Sequence, residues 1–303
     1  MNEELTLDAC RLCPRLCGAD RRAGRTGWCG AGALARVARA APHYWEEPCL
    51  SGSRGSGTVF FSRCNMHCLY CQNHEISRGG EGRDVGAKTL ASIFLRLQAE
   101  GVHNINLVSP TPYIPQIATA LKLARQRGLS LPVVYNTNAY ERPEALLMLK
   151  GLVQIFLPDL KYADNRLGEE YSEARDYYAA ATAAIKAMRA LAPEDRFDGE
   201  GLLVSGLLVR HLVLPGQPGN TQAVLRWLAT EIGPKTYISL MAQYTPVHLA
   251  AAHQALGRGI TRDEYEQALE AFAEAGLENG FCQELASASS AYTPDFNWAD
   301  FPG

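Results

Sequence analysis

Three cysteines, Cys64, Cys68 and Cys71, stand at the spacing Cys-x3-Cys-x2-Cys directly after the apolar run Thr58-Val59-Phe60-Phe61. Three thiolates this close can ligate three irons of a cubane and leave the fourth iron without a protein ligand. Clusters held by four cysteines fill all their corners. An open iron is a place for a substrate or cofactor to coordinate, so the spacing reads as catalysis rather than electron storage. The competing reading is a zinc site of three cysteines completed by His67 or His74.

A second group precedes it, Cys10-x2-Cys13-x3-Cys17-x11-Cys29, interleaved with Gly18, Gly24, Gly27 and Gly30. Glycines allow the tight turns that wrap thiolates around a metal. Zinc takes four thiolates as a tetrahedron, and a [4Fe–4S] cubane also takes four; the spacing leaves both open. Arg11, Arg15, Arg21, Arg22 and Arg25 surround this knuckle, either as a solvated face or as a dock for an acidic partner or anionic substrate. Cys49 and Cys282 stand alone.

These residues need a scaffold, and the chain is long enough to supply one. Its 303 residues are 47% hydrophobic, ample for an enzyme-sized core. A net charge of −3 gives no global pull toward nucleic acid or anionic lipid. The start, Met1-Asn2-Glu3-Glu4, lacks an apolar h-region, so no signal peptide is expected, and no apolar stretch reaches the length of a membrane span. Nine cysteines without an export signal argue for metal ligation in a reducing cytosol rather than for disulfides. An exposed cluster corner would be oxygen-labile, which points to anaerobic chemistry.

Beyond the knuckle, short apolar runs alternate with amphipathic patterns. Strands are expected at 58–62, 104–109, 132–136, 153–157, 207–214 and 236–241. Helical spacing joins Leu90, Ile93, Phe94 and Leu97; Ile114, Ile117, Ala118 and Leu121; Leu225, Leu228, Ala229 and Ile232; and Tyr265, Ala268, Leu269 and Phe272. The Ala-rich stretch 168–191 is expected to form one long helix. Six strands alternating with helices argue for a parallel sheet, closed or partly closed, with an open doubly wound sheet as the alternative. In a βα barrel, chemistry belongs at the C-terminal ends of the strands. The polar clusters fall there: the cysteine loop, Ser109-Pro110-Thr111-Pro112, Asn136-Thr137-Asn138, Asp159-Leu160-Lys161, Arg210-His211 and Gln243-Tyr244-Thr245. Bland alternatives exist for several. Asp159 and Lys161 could be an exposed ion pair, His211 a satisfied core histidine, and Asn136 a turn residue.

Taken together, these pieces resemble the radical S-adenosylmethionine (SAM) superfamily, and within it the pyruvate formate-lyase activating-enzyme-like branch with an N-terminal Cys-x2-Cys-Pro-Arg-x-Cys motif. The resemblance implies an α/β fold, a partial (β/α)6 TIM-like barrel with a cysteine-rich extension. The expected division is 1–50 for that metal-binding extension, 51–260 for the barrel, and 261–303 for a C-terminal helix and tail packing on it. It further implies a [4Fe–4S] cluster on Cys64, Cys68 and Cys71. SAM would chelate the open iron, and one electron would cleave it to methionine and a 5′-deoxyadenosyl radical that abstracts hydrogen. Tyr70 would pack near the adenine. Ser109, Asn136, Asp159, Lys161, Arg210 and His211 would hold SAM, with Lys161 or Arg210 on its carboxylate. One departure is the turn after the second strand. Activating enzymes use a Gly-Gly-Glu-Pro-type turn toward the SAM amino group, and Ser109-Pro110-Thr111-Pro112 stands there instead.

The function this implies is an activase that makes a glycyl radical on a partner protein, fed by a low-potential donor such as flavodoxin or ferredoxin. A radical SAM enzyme acting on a small molecule or peptide is the alternative, and a non-catalytic iron–sulfur or zinc protein is a third. No nucleic acid or membrane partner is expected, and the location expected is cytoplasmic. The knuckle, Cys10, Cys13, Cys17 and Cys29, would hold a second metal centre. The aromatic tail from Phe281 to Trp298 would cover the barrel's open side or pack on its surface.

Overall fold

The computed structural model describes residues 6–283. In chain order, β1 (Ala35–His43) leads through α1 (Pro48–Ser51) to β2 (Ser56–Phe61), then β3 (Arg83–Val85), α2 (Ala87–Ala99), β4 (Ile105–Val108), α3 (Ile114–Gln126) and β5 (Val133–Thr137). There follow α4 (Pro143–Leu146), β6 (Ile155–Pro158), α5 (Asn165–Ser172), α6 (Tyr177–Leu191), β7 (Arg196–Phe197), β8 (Leu203–Leu212), α7 (Pro218–Trp227), β9 (Tyr237–Met241), α8 (Arg262–Glu274) and β10 (Asn279–Cys282).

The sheet runs β10-β9-β8-β6-β5-β4-β2-β1-β3, with β7 paired to β8. Every neighbouring pair from β2 to β10 is parallel. The edge strands β1 and β3 are antiparallel additions. The two ends of the path do not pair, so the sheet is a partial barrel rather than a closed one. All six expected strands are present. β2, β4, β5 and β6 are buried at every position, as parallel strands covered on both faces must be. Their outer cover includes α2, which buries Leu90, Ile93, Phe94 and Leu97, and α3, which buries Ile114, Ile117 and Leu121. Each such side chain contributes roughly 1.5–3 kcal/mol of burial.

Two differences from the sequence reading matter for the site. The Ala-rich stretch is not one helix. It breaks into α5 and α6, with Glu173 and Asp176 in the left-handed region at φ +50° and +51°. The break leaves the carbonyls of Tyr171 and Ser172 at a helix end, where they lack intrahelical donors. They accept instead from the cysteine loop: Leu69 N–H donates to Tyr171 O at 2.8 Å and His67 N–H to Ser172 O at 3.0 Å. The second difference is β10, a seventh parallel strand on β9, too short and too exposed to show a period in sequence. Most of the aromatic tail lies outside the described residues.

Candidate active site

The C-terminal ends of β2, β4, β5, β6, β8 and β9 open into one pocket of about 400 Å³. Of the expected site residues it is lined by Cys64, Cys68, Cys71, Tyr70, Ser109, Asn136, Asp159, Lys161 and Arg210. The chain turns into it through strained backbone. Arg63, just before the first cysteine, has φ +73°, and Ser109, just after β4, has φ +57°. Neither residue is a glycine, and such backbone persists only where its surroundings over-determine it.

Each of the three sulfurs has a polar neighbour. Asn138 Nδ2 donates to Cys64 Sγ at 3.3 Å, Ser172 Oγ donates to Cys68 Sγ at 3.0 Å, and Ser77 Oγ lies 3.5 Å from Cys71 Sγ. Burial pushes the Cys64 thiol up to about 12 and Cys68 to about 11, so ionised sulfur here needs a compensating cation. Three thiols with hydrogen-bond donors in place fit a thiolate-ligated iron centre. Neither histidine of the competing zinc reading, His67 or His74, lines this pocket. His67 stacks on Trp28 at 4.8 Å, and His74 stacks on His248 at 4.5 Å. Among the described residues, no three His, Cys, Asp or Glu side chains are gathered to hold a single metal ion. A cubane places its thiolates beyond its corners, wider apart than the ~3.8 Å edge of a zinc tetrahedron with ~2.3 Å bonds.

Facing the cysteines, Lys161 Nζ donates to Asp159 Oδ2 at 2.6 Å. Burial opposes the lysine charge, but the Asp159 carboxylate more than offsets it and the ammonium is held. Tyr177 Oη fixes this segment, sitting 2.8 Å from Asp159 O and accepting from Lys161 N–H at 3.0 Å. The pair is therefore not an exposed ion pair, since both side chains are mostly buried. Asn136 lines the pocket at the end of β5, and its carbonyl accepts Ser109 N–H at 3.1 Å. Tyr70 is nearly buried, with its hydroxyl 2.6 Å from Tyr162 Oη.

Two residues differ from expectation. Arg210 reaches the pocket but is not free: Glu47 takes it bidentately at 2.8 and 2.6 Å, and Glu46 Oε2 pairs with it as well. Burial favours a neutral Glu47, but Arg210 overrides this and holds its carboxyl below the usual range. His211 is not brought to the pocket. It is fully buried, with Nδ1 2.7 Å from Leu160 O and Nε2 3.0 Å from Thr221 Oγ1. Burial pushes it down to about 4, so it is a neutral core histidine.

The knuckle cysteines gather elsewhere. Cys10, Cys13, Cys17 and Cys29 line a second cavity together with Arg15, Arg21 and Asn65. Gly27 is required there, because a Cβ on it would fall 2.2 Å from Cys17 Sγ. Sequence reasoning missed Glu46, Glu47, Asn65, Ser172 and Tyr177. Glu46-Glu47 precedes α1, and nothing local marks a loop that folds back into a barrel. Ser172 lies inside what read as one long helix.

The family model for the radical SAM superfamily matches residues 58–228. The uncharacterized protein MJ0674 of Methanocaldococcus jannaschii is 28% identical over 236 residues, which is 75% of this chain and 64% of that one. SuiB of Streptococcus suis, in its structure bound to precursor peptide SuiA, has a TM-score of 0.52 at 15% identity, over 74% of this chain and 48% of that one. A domain of pyruvate-formate lyase-activating enzyme from Bacteroides vulgatus ATCC 8482 has a TM-score of 0.39 at 14% identity, over 57% of this chain and 92% of that one. The chain thus spans less than two thirds of MJ0674 and about half of SuiB, and the likeness to SuiB is one of fold. With more than half its length in the family match, the chain belongs to the radical SAM superfamily, whose enzymes are built around a [4Fe–4S] cluster and SAM.

Proposed function

We propose that Cys64, Cys68 and Cys71 hold the [4Fe–4S] cluster and that the pocket facing them binds SAM. The observation that supports this most is the lining itself: three thiols, an Asp159–Lys161 pair and Asn136 share one pocket of about 400 Å³, a volume suited to a small cofactor. When bound, the cluster held by Cys64, Cys68 and Cys71 would supply the single electron for reductive cleavage of SAM. The protein's part is positioning. Asp159 and Lys161 would take the amino and carboxylate groups of a zwitterion, exchanging part of their mutual pairing for it. Tyr177 holds their backbone, and Ser109 and Asn136 present polar atoms beside them. Arg210, already claimed by Glu46 and Glu47, shapes the pocket floor rather than binding the cofactor's carboxylate.

The substrate we favour is a peptide segment of another protein, as for an activase of a glycyl radical enzyme. The pocket rim carries exposed Tyr44 and Trp45, 56% and 59% accessible, which suits an entering loop better than a sealed small-molecule site. Modification of a peptide uses the same opening and is the second reading. Residues 51–260 would act as the barrel, 1–50 as an extension carrying a second metal centre, and 261–303 as its C-terminal cover. A low-potential one-electron donor completes the system. The test is anaerobic reconstitution with SAM, reductant and candidate partner proteins. A glycyl-radical doublet in electron paramagnetic resonance (EPR) supports the activase. SAM cleavage with a modified peptide and no protein radical supports the second reading. No cleavage by reconstituted protein ends both.

A further inference from the structure

Two arginines of the N-terminal segment, buried Arg21 and half-buried Arg15, have no acidic partner among the described residues. Arg21 is 2% exposed, and its guanidinium meets Gly32 O at 2.9 Å, Pro112 O at 2.6 Å and Cys10 Sγ at 3.8 Å. Arg15 lies 4.3 Å over the Trp28 ring, donates from Nε to Asn65 O at 3.1 Å, and leaves Nη2 buried with no hydrogen-bond partner. Both line the cavity of the four knuckle cysteines. Among the described residues, no carboxylate pairs with either arginine. Asp8 and Asp20, the nearby acids, pair with Arg22 and Arg25.

A buried charge is costly unless it is paired. Buried Arg21, with half-buried Arg15 beside it on the same four cysteines, therefore calls for an anion there. Four thiolates around a divalent zinc, or around a cubane core of charge 2+, both carry a net charge of −2, which Arg15 and Arg21 balance. The two ask for different spacing of the sulfurs. Zinc needs sulfurs about 3.8 Å apart on ~2.3 Å bonds, and the described cysteines are not gathered for a single ion. They nonetheless line one cavity, as the wider ligand set of a cubane would.

We propose that Cys10, Cys13, Cys17 and Cys29 hold a [4Fe–4S] cluster whose counter-cations are Arg15 and Arg21, and that it hands electrons to the site at Cys64. This rests on the radical SAM reading for the acceptor only. The contact between the two sites is Asn65. It lines the knuckle cavity, while its neighbour Cys64, one trans peptide and ~3.8 Å of Cα spacing away, lines the SAM pocket. Asn138 Nδ2 bridges them, donating to Asn65 Oδ1 at 2.9 Å and to Cys64 Sγ at 3.3 Å. A one-electron protein donor of low potential would reduce the knuckle cluster from 2+ to 1+. The cluster then returns to 2+ as the electron passes to the centre at Cys64, with no atom transferred.

The test uses full-length protein with Cys64, Cys68 and Cys71 all replaced by Ala, so that only the knuckle can load. Anaerobic reconstitution should give roughly four irons and a reducible cubane EPR signal. Stoichiometric zinc without iron, or no metal, overturns the proposal. In the same background, Arg15→Gln should lower the cluster's midpoint potential, because a lost cation disfavours the reduced form, while Arg15→Lys should restore it. An unchanged potential overturns the counter-cation role. In protein with both centres, full reduction should broaden the two EPR signals by spin coupling, and two independent signals overturn the relay. A quadruple Ala variant of the knuckle that still loads its Cys64 site separates failure of this proposal from failure of the radical SAM reading.

Discussion

Ser172 Oγ donates to Cys68 Sγ at 3.0 Å, and the same residue's carbonyl accepts His67 N–H. A residue 104 positions downstream thus grips the cysteine loop by side chain and backbone. Behind it, Tyr162 Oη is 2.6 Å from Ser172 Oγ, and Tyr70 Oη is 2.6 Å from Tyr162 Oη. With the serine proton committed to sulfur, each hydroxyl in turn must donate toward it, so the row is ordered from Tyr70 to Cys68. Donors to ligand sulfur stabilise the reduced, more negative cluster. Ser172→Ala and Tyr162→Phe should lower the midpoint potential of the cluster at Cys64 and cost about 1 kcal/mol of stability each. Redox titration followed by EPR reads this, and unchanged potentials in both variants would remove the row from the mechanism.

The Asp159–Lys161 pair gives a binding prediction. Lys161→Ala and Asp159→Asn should weaken SAM binding about tenfold or more, from loss of charge-assisted hydrogen bonds worth ~1.5–3 kcal/mol. Iron content should be unchanged. Calorimetric affinities equal to the parent's in both variants would reduce the pair to a buried structural contact.

Arg210, Glu46 and Glu47 form a buried charge cluster, with Asn106 Nδ2 also donating to Glu46 at 2.9 Å. Removing the cation alone strands two carboxylates. Arg210→Met should cost about 3–5 kcal/mol at neutral pH, with part recovered when Glu46→Gln and Glu47→Gln are added. The sign with pH follows from Glu47. Its carboxyl is held low in the folded protein, so its pairing stabilises above the ordinary carboxylate range and is lost as pH falls through the lowered value. Chemical denaturation of the three proteins checks both statements. A single Arg210→Met variant as stable as the parent contradicts them.

What the sequence could and could not show follows from range. The cysteine spacing and the apolar periods are local, so the six strands, the helices at Leu90–Leu97 and Ile114–Leu121, and the pocket residues Asn136, Asp159 and Lys161 were legible. His211 sits in a strand whose period does not tell which neighbour its ring will meet, and it meets Thr221 and Leu160 rather than the pocket. The α5–α6 break was hidden by a run of good helix formers. It exists because a loop from residue 67 needs the carbonyls at its end, a tertiary demand that overrides propensity. Glu46 and Glu47 were invisible for the same reason, since their partner Arg210 is more than 160 residues away.

Glu141 supplies the last prediction, independent of any cofactor. It is 1% exposed just beyond β5, and its carboxylate accepts from Thr111 Oγ1 at 2.8 Å, from Tyr135 Oη at 2.9 Å and from Thr137 Oγ1. No cation reaches it among the described residues, and burial pushes its pKa up to about 6 from 4.5 despite those hydroxyls. A raised carboxyl means the folded state binds the proton more tightly. Its stabilisation is complete below pH ~4.5 and is lost as pH rises through ~6, a change of about 2 kcal/mol. Glu141→Gln has no proton to lose. Relative to that variant, the parent should therefore become about 2 kcal/mol less stable between pH 4.5 and 7.5 in urea denaturation. A stability gap that stays constant over that interval would show that Glu141 ionises in the folded protein as an ordinary, unshifted carboxylate.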